Sequence, residues 1–81
     1  TEPSYPSVSR LRAEQGVVYV RVTISPHGDV ADASIETSSG YARLDEAALK
    51  AVRQWRFAPA MRGSQAIVGS ALVPVRFQLR N

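Results

Sequence analysis

Residues 38–60, SSGYARLDEAALKAVRQWRFAPA, contain a helix start, a helix and a helix stop, and they decide how the rest of the chain folds. Asp45 is predicted to cap the helix, because a carboxylate there accepts a free backbone N–H of the first turn. Pro59 pushes the residue before it out of helical geometry, so the helix is predicted to end near Arg56. The apolar stripe of this helix is predicted to consist of Ala48, Leu49, Val52 and Trp55.

The chain has one tryptophan, Trp55, and it stands in a Trp-Arg-Phe run at the end of this helix. On the apolar stripe it would pack against a valine-rich strand, and Phe57 would close one end of the same core. We therefore interpret the run as part of the core and not as a binding site. The predicted core comprises Val20, Val22, Leu49, Val52, Trp55 and Phe57.

Two strands are predicted before the helix and one after it. Residues 17–25 alternate between apolar and polar side chains, and a Pro-His-Gly-Asp turn at 26–29 leads into a return strand from Val30 to Thr37. After a loop near residue 64, residues 67–80 alternate again. These three segments predict an antiparallel sheet.

A short helix near the N-terminus completes the order helix, strand, strand, helix, strand. Val8 and Leu11 are predicted on one face of it, with Glu14 facing water. The fold class is therefore α+β, a three-stranded antiparallel sheet with both helices on one face and the third strand beside the first. Residues 1–6 are predicted to end a proline-bearing linker, and residues 7–81 to form the domain.

Composition argues against catalysis and metal binding. The chain has no cysteine and a single histidine, His27, which we place in a solvated turn. No metal and no cofactor is therefore predicted. Asp29, Asp32 and Glu36 fall on a turn or a strand without a nucleophile and base beside them, so no enzyme is predicted.

The net charge of +3 would suit an acidic partner. Nine of the ten basic residues are arginines, however, and they are scattered along the chain, which is typical of a solvated surface. An RNA-binding sheet needs exposed aromatic side chains for stacking, and Tyr19 beside Arg21 is the only clear candidate. We therefore predict no nucleic-acid partner.

Pro74 lies within the last predicted strand and has no backbone N–H to donate. Proline in a strand is tolerated at an edge, and if Pro74 faces an open edge, Leu72, Arg76 and Gln78 also present backbone groups there. Another chain could then add a strand. Alternatively, Pro74 and Arg76 block such pairing, and the residues alone leave both interpretations open.

Four stretches together resemble the C-terminal domain of TonB-type energy transducers. They are YP at 5–6, GVVYVRVTISPHGDV at 16–30, the run at 38–60 and VPVRFQL at 73–79. The resemblance implies a non-enzymatic domain in the periplasm of a Gram-negative bacterium. It also implies an inner-membrane anchor, an N-terminal helix that is not in this sequence.

The resemblance further implies that the domain docks on outer-membrane TonB-dependent receptors. The Ton box of the receptor would add a strand to the last strand of the domain. An ExbB–ExbD complex, working through the N-terminal part, would supply energy from the proton-motive force to open the receptor plug. Iron chelates, haem or cobalamin would then be imported.

Carried over by position, the docking residues are Leu72, Val73, Pro74, Val75, Arg76, Phe77, Gln78, Leu79, Ser4, Tyr5 and Pro6. Pro74 departs from the best-known members and would delete one hydrogen bond to the receptor or set the local register. The alternative function is a TolA-like or peptidoglycan-binding periplasmic adaptor, with peptidoglycan as a further partner. An open edge also allows short forms of the domain to exchange strands as a homodimer.

Overall fold

The computed structural model describes residues 3–79. Its elements are α1 (Ser7–Leu11), β1 (Gly16–Ile24), β2 (Val30–Thr37), α2 (Ala42–Val52), β3 (Ala60–Arg62), β4 (Gln65–Ile67) and β5 (Gly69–Phe77). The predicted order is confirmed, with one addition before the last strand. There β3 and β4 form a short hairpin, and the loop predicted near residue 64 is its turn.

The main sheet has the strand order β2-β1-β5, and both pairings are antiparallel. The last strand therefore lies beside the first, as predicted. The α+β class, with a three-stranded antiparallel sheet and two helices, is confirmed. Its basis is the alternation in β1, where Val20 and Val22 are fully buried while Tyr19 and Arg21 on the other face are exposed.

The core lies between one face of the sheet and α2. Helix α2 buries Leu44, Ala48 and Val52, which are spaced four residues apart and therefore share one side of the helix. The sheet contributes Val18, Val20, Val22, Ile24, Ala33, Val75 and Phe77. The other three predicted core residues, Leu49, Trp55 and Phe57, are only partly buried and pack against this core.

Helix α2 differs from the prediction at both ends. It begins at Ala42, with Tyr41 rather than Asp45 in the N-cap position. The Tyr41 side chain makes no capping hydrogen bond. It ends at Val52, so Trp55 lies beyond the helix and not on its buried stripe. The predicted end near Arg56 was wrong. After Val52 the chain tightens into turns, in which the Gln54 N–H donates to the Ala51 carbonyl and the Trp55 N–H to the Val52 carbonyl, and Arg56 and Phe57 beyond them make tertiary hydrogen bonds.

Those bonds join the Trp-Arg-Phe run to the turn between β1 and β2. The Arg56 guanidinium donates to the Asp29 carboxylate at 2.5 Å and to the His27 carbonyl at 2.7 Å. The Phe57 N–H donates to the Gly28 carbonyl at 2.9 Å. Besides contributing to the core, the run therefore fastens the chain after α2 to the sheet.

Helix α1 and the residues just after it bury side chains other than the predicted ones. Val8 is 42% exposed and Leu11 is 87% exposed, whereas Ser9 and Glu14 are buried. A five-residue helix is too short to develop an apolar stripe, and its position is set instead by the segment around it. Tyr5, before the helix, donates its hydroxyl hydrogen bond to the Glu14 carbonyl after it.

Asp45 stabilises the start of α2 although it is not the N-cap residue. Its carboxylate reaches back and accepts hydrogen bonds from the Ser39 N–H at 3.0 Å, from the Ser39 hydroxyl at 2.8 Å and from the Ser38 hydroxyl. Burial by itself would raise the pKa of Asp45, but these hydrogen bonds to the charged form outweigh it. The pKa lies below its ordinary value of 3.8.

Acid is therefore expected to weaken the fold through Asp45. A carboxyl whose pKa is lowered by folding stabilises the protein above its unfolded pKa, and this contribution disappears as the pH falls through the folded pKa. Asp45→Asn should cost about 1 kcal/mol near neutral pH, because it weakens the hydrogen bonds that the charged carboxylate accepts from Ser38 and Ser39. Urea unfolding of both proteins should show this difference shrinking below about pH 4.

Asp32→Asn removes an exposed carboxylate from β2 and serves as the control for the change in net charge. Its unfolding free energy is expected to follow that of the wild type across the same pH range. A pH-independent difference between Asp45→Asn and the wild type would contradict the role of the Asp45 charge.

Candidate functional site: the free edge of β5

Strand β5 has one neighbour within residues 3–79, and its other edge is free. Pro74 lies opposite Tyr19 in the pairing with β1. Because Pro74 has no N–H, this must be a pair in which neither residue bonds the other. The alternation of an antiparallel ladder then directs the backbone groups of Leu72 and Arg76 away from β1 as well.

By the same alternation Ser70, opposite Thr23, also directs its backbone groups away from β1. The free edge therefore offers three N–H donors, from Ser70, Leu72 and Arg76, and four carbonyl acceptors, from these residues and Pro74. The side chains of all four are exposed on the sheet face opposite α2. We call this the open face. The residues of β5 that alternate with these direct their side chains toward the core and their backbone groups toward β1; they are Ala71, Val73, Val75 and Phe77.

The predicted docking strand extends past the end of β5. The strand ends at Phe77, so Gln78 and Leu79 are not part of it. The Leu79 N–H donates to the Gln15 side-chain carbonyl oxygen at 2.9 Å and is not available to another chain. Sequence reasoning missed this contact because Gln15 is remote in the sequence and follows no motif.

The segment before α1 meets the C-terminal end of β5. The Tyr5 ring contacts the Phe77 ring edge-on, with centroids 5.4 Å apart and planes at 86°. The Arg10 guanidinium lies 4.9 Å from the centre of the Tyr5 ring. Tyr5 therefore joins the N-terminal segment to the last core residue of the strand proposed to dock.

Ser4 and Pro6 lie on the helix side of the sheet. They line a groove of about 530 Å³ whose opposite wall is formed by α2 and by Trp55 just beyond it. The structure thus brings Tyr5 to the end of β5, whereas Ser4 and Pro6 lie against α2 and not along the open face.

Strand β2 forms the other edge of the sheet, and it is irregular. Its pairing with β1 shifts register twice, so that Ala31 and Glu36 have no direct partner. Bulges of this kind bend an edge strand and hinder the addition of another chain. The pairing of β5 with β1 runs without interruption from Gly69 to Phe77, so β5 has the regular edge.

The two arginines on the open face, Arg21 and Arg76, differ in their partners. The Arg21 guanidinium makes bidentate hydrogen bonds to the Glu36 carboxylate, at 2.9–3.1 Å. Arg76 makes no ion pair or side-chain hydrogen bond with any of the residues 3–79. The free edge thus carries one positive charge that this part of the chain does not neutralise.

Two further features bear on the function. Among residues 3–79, no three histidine, cysteine, aspartate or glutamate side chains come together as metal ligands would. In the same range, no helix has the length and apolar character needed to cross a bilayer.

These observations define a small α+β domain whose last strand has a regular edge that is unpaired within residues 3–79. A family model described as the C-terminal domain of the Gram-negative bacterial TonB protein matches residues 1–79. The chain belongs to this TonB C-terminal family, as its resemblance to TonB-type transducers implied.

Curated relatives and a solved structure agree with this assignment. The chain is 40% identical to the protein tonB2 of Pseudomonas aeruginosa, with 95% of this chain and 28% of that protein covered. It is 31% identical to the TonB protein of Vibrio cholerae, with 96% and 32% covered. The chain therefore spans about a third or less of the length of these relatives.

The solved structure is the NMR structure of the Helicobacter pylori TonB C-terminal domain, residues 179–285. It matches with a TM-score of 0.73 and 23% identity, covering 98% of this chain and 71% of that one. At this identity, the match supports the fold.

Proposed function

We propose that this domain docks the Ton box of outer-membrane TonB-dependent receptors by β-strand addition along the free edge of β5. Membership of the TonB C-terminal family supports the class of partner. The observation that carries the proposal is the outward backbone of Leu72, Pro74 and Arg76, on a strand that has one neighbour in the described part of the chain. The second edge of the sheet, β2, is bulged and does not compete.

In this proposal the domain is a non-enzymatic periplasmic part of a longer protein anchored in the inner membrane. Energy from the proton-motive force reaches it through the N-terminal part and an ExbB–ExbD complex. The docked domain transmits that energy to the receptor plug. The plug opens, and an iron chelate, haem or cobalamin is imported through the receptor.

Backbone pairing contributes only part of the docking affinity. The central part of the free edge, at Leu72, Pro74 and Arg76, offers two donors and three acceptors, and each hydrogen bond is worth about 1 kcal/mol net. Association costs about 4 kcal/mol or more, which these bonds barely offset. The remaining free energy must come from side chains beside the edge, on the open face or around Tyr5.

A titration with a peptide that copies a receptor Ton box tests the proposal. In nuclear magnetic resonance spectra, the Leu72 and Arg76 amide signals are expected to shift, and their hydrogen exchange to slow. A scrambled peptide of the same composition is the control for the ligand. Shifts confined to α2 or to β2 would contradict strand addition at β5.

A pair of variants at Leu72 separates the backbone donor from the side chain. Leu72→Pro removes the outward N–H together with the leucine side chain, whereas Leu72→Ala removes the side chain and keeps the N–H. If the donor pairs with the peptide, Leu72→Pro should bind about fivefold to tenfold more weakly than Leu72→Ala. Equal binding by two folded variants would contradict the donor role.

A further inference from the structure

We infer that the groove between residues 3–6 and α2 is a binding site for the linker that leads into Pro3 in the longer protein. The linker docks there in the polyproline II conformation, along the alanines of α2 and against Trp55. This inference rests on the part of the proposed function that makes the domain the end of a longer chain. It concerns a different surface from the free edge of β5.

The part of the linker that the structure describes fits this conformation. Pro6 has φ of −58° and ψ of 136°, close to the polyproline II values of about −75° and 145°. A polyproline II helix has about three residues per turn, so Pro3 and Pro6 fall on the same edge of it. Both prolines are half-buried and line the groove, whereas Ser4 between them is exposed. Prolines three residues apart therefore fit against α2.

The groove is longer than the segment that forms its first wall. Helix α2 lines it from Arg43 to Ala51, a distance of about 12 Å at 1.5 Å per residue, and Gln54 and Trp55 extend it past the helix end. Residues 3–6 cover only about 9 Å, at a rise of about 3.1 Å per residue. Within residues 3–79 no other segment lines the groove. Its Trp55 end is therefore open to a few further residues of extended chain.

The direction of the chain leads the linker to that end. The Tyr5 hydroxyl donates to the Glu14 carbonyl, and the Glu14 carboxylate pairs with Arg43 in the first turn of α2. These contacts hold residue 5 near the start of the helix. Pro3 lies two residues upstream in the same groove, so the chain before Pro3 is directed along α2 towards Trp55.

The lining of the groove suits a proline-bearing chain. Ala47 and Ala51 are four residues apart and share one side of α2, and their small side chains allow another backbone to approach closely. Trp55 is only partly buried, with its ring packed at 6.4 Å from the Phe57 ring. Its remaining surface can pack against proline, as aromatic side chains do in the grooves that bind Pro-x-x-Pro segments.

Weak contacts are sufficient for docking of this kind. A polyproline II chain is already extended and stiff, so it loses little conformational entropy on binding. The linker is also tethered beside the groove, which gives it a high effective concentration there. Docking fixes the direction in which the linker leaves the domain, on the helix side of the sheet and away from the open face. The linker and a receptor peptide can therefore occupy the domain together.

Nuclear magnetic resonance spectra of the longer periplasmic protein, with its linker intact, test the inference against spectra of the 81-residue chain. The amide signals of Ala51 and Gln54 and the indole N–H signal of Trp55 are expected to differ between the two proteins. The signals of β1 and β5 should coincide, which shows that the fold is the same. Identical signals at α2 and Trp55 in the two proteins would overturn the inference.

Two alanine variants of the longer protein locate the docking. Ala51→Glu puts a larger, charged side chain into the groove, and the linker-dependent difference at Trp55 should be lost. Ala42→Glu makes the same change at the first residue of α2, which does not line the groove, and should preserve that difference. The same response in both variants would show that the linker does not bind in the groove.

A second pair of variants tests the conformation of the linker without changing α2. Pro3→Ala removes a proline ring from the groove and relaxes the polyproline II geometry, so the difference at Trp55 should shrink. Ser4→Ala keeps both prolines and should leave the difference as in the wild type. Equal spectra of the two variants would contradict the role of the proline spacing.

The same spectra separate the linker from other occupants of the groove. If the Trp55 signal shifts only as the protein concentration rises, a second copy of the chain fills the groove and the inference is wrong. A shift that requires an added soluble peptidoglycan fragment would assign the groove to that ligand instead. Strand addition is judged independently, because it is read from the Leu72 and Arg76 amide signals in a titration with a receptor peptide.

Discussion

Gly28→Ala is expected to destabilise the domain by about 3–4 kcal/mol, a large part of a total expected to be about 4–12 kcal/mol. Gly28 has φ of 91°, and alanine there costs about 1–2 kcal/mol. An added Cβ would lie 2.4 Å from the Phe57 carbonyl oxygen, so the backbone would have to move. That movement would strain or break the bond from the Phe57 N–H to Gly28.

Gly40→Ala is the matched control for this prediction. Gly40 has φ of 95°, close to that of Gly28, but a Cβ there would meet nothing within 4 Å. It should cost only the conformational penalty, about 1–2 kcal/mol. Urea unfolding measures both, and equal losses would show that the close approach of Phe57 to Gly28 contributes nothing.

Leu44→Ala is expected to cost about 2–5 kcal/mol. Leu44 is fully buried in the first turns of α2, among the core residues of the sheet and the helix. Truncation removes apolar contacts and leaves a cavity that the neighbouring strands fill only partly. Thermal unfolding should show a correspondingly lower melting temperature.

Leu11→Ala makes the same chemical change on the surface. Leu11 is 87% exposed at the end of α1, and its truncation is expected to change the unfolding free energy by less than about 0.5 kcal/mol. A comparable loss in both variants would contradict the burial that distinguishes the two leucines.

The strands were predicted more accurately than the helices. β2 runs from Val30 to Thr37 as predicted, and β1 begins and ends one residue earlier than expected. Alternation identifies a half-buried strand locally, residue by residue. The ends of α2 were not predictable in this way. Before its start, Asp45 accepts a hydrogen bond from the Ser39 N–H, and after its end the Arg56 guanidinium donates to the carbonyl of the distant His27.

The candidate site was predicted in part. Pro74 indicated an edge strand from its chemistry alone, since it cannot donate to a ladder. The pairing register was needed to establish that Leu72 and Arg76 direct their backbone groups outward. It was also needed to show the bulges of β2, which leave β5 as the regular edge. The contact between Arg21 and Glu36 required the positions of the side chains.

The amino-acid sequence by itself determined the class and order of the elements, the family and the edge position of the last strand, because these depend on local periodicity and on the chemistry of single residues. Only the tertiary structure decided the burial of Ser9 and Glu14, the position of the chain beyond the end of α2 and the absence of an ion pair for Arg76 among residues 3–79. These features depend on contacts between residues far apart in the chain, and such contacts exist only once the strands have paired and the helices have packed on them.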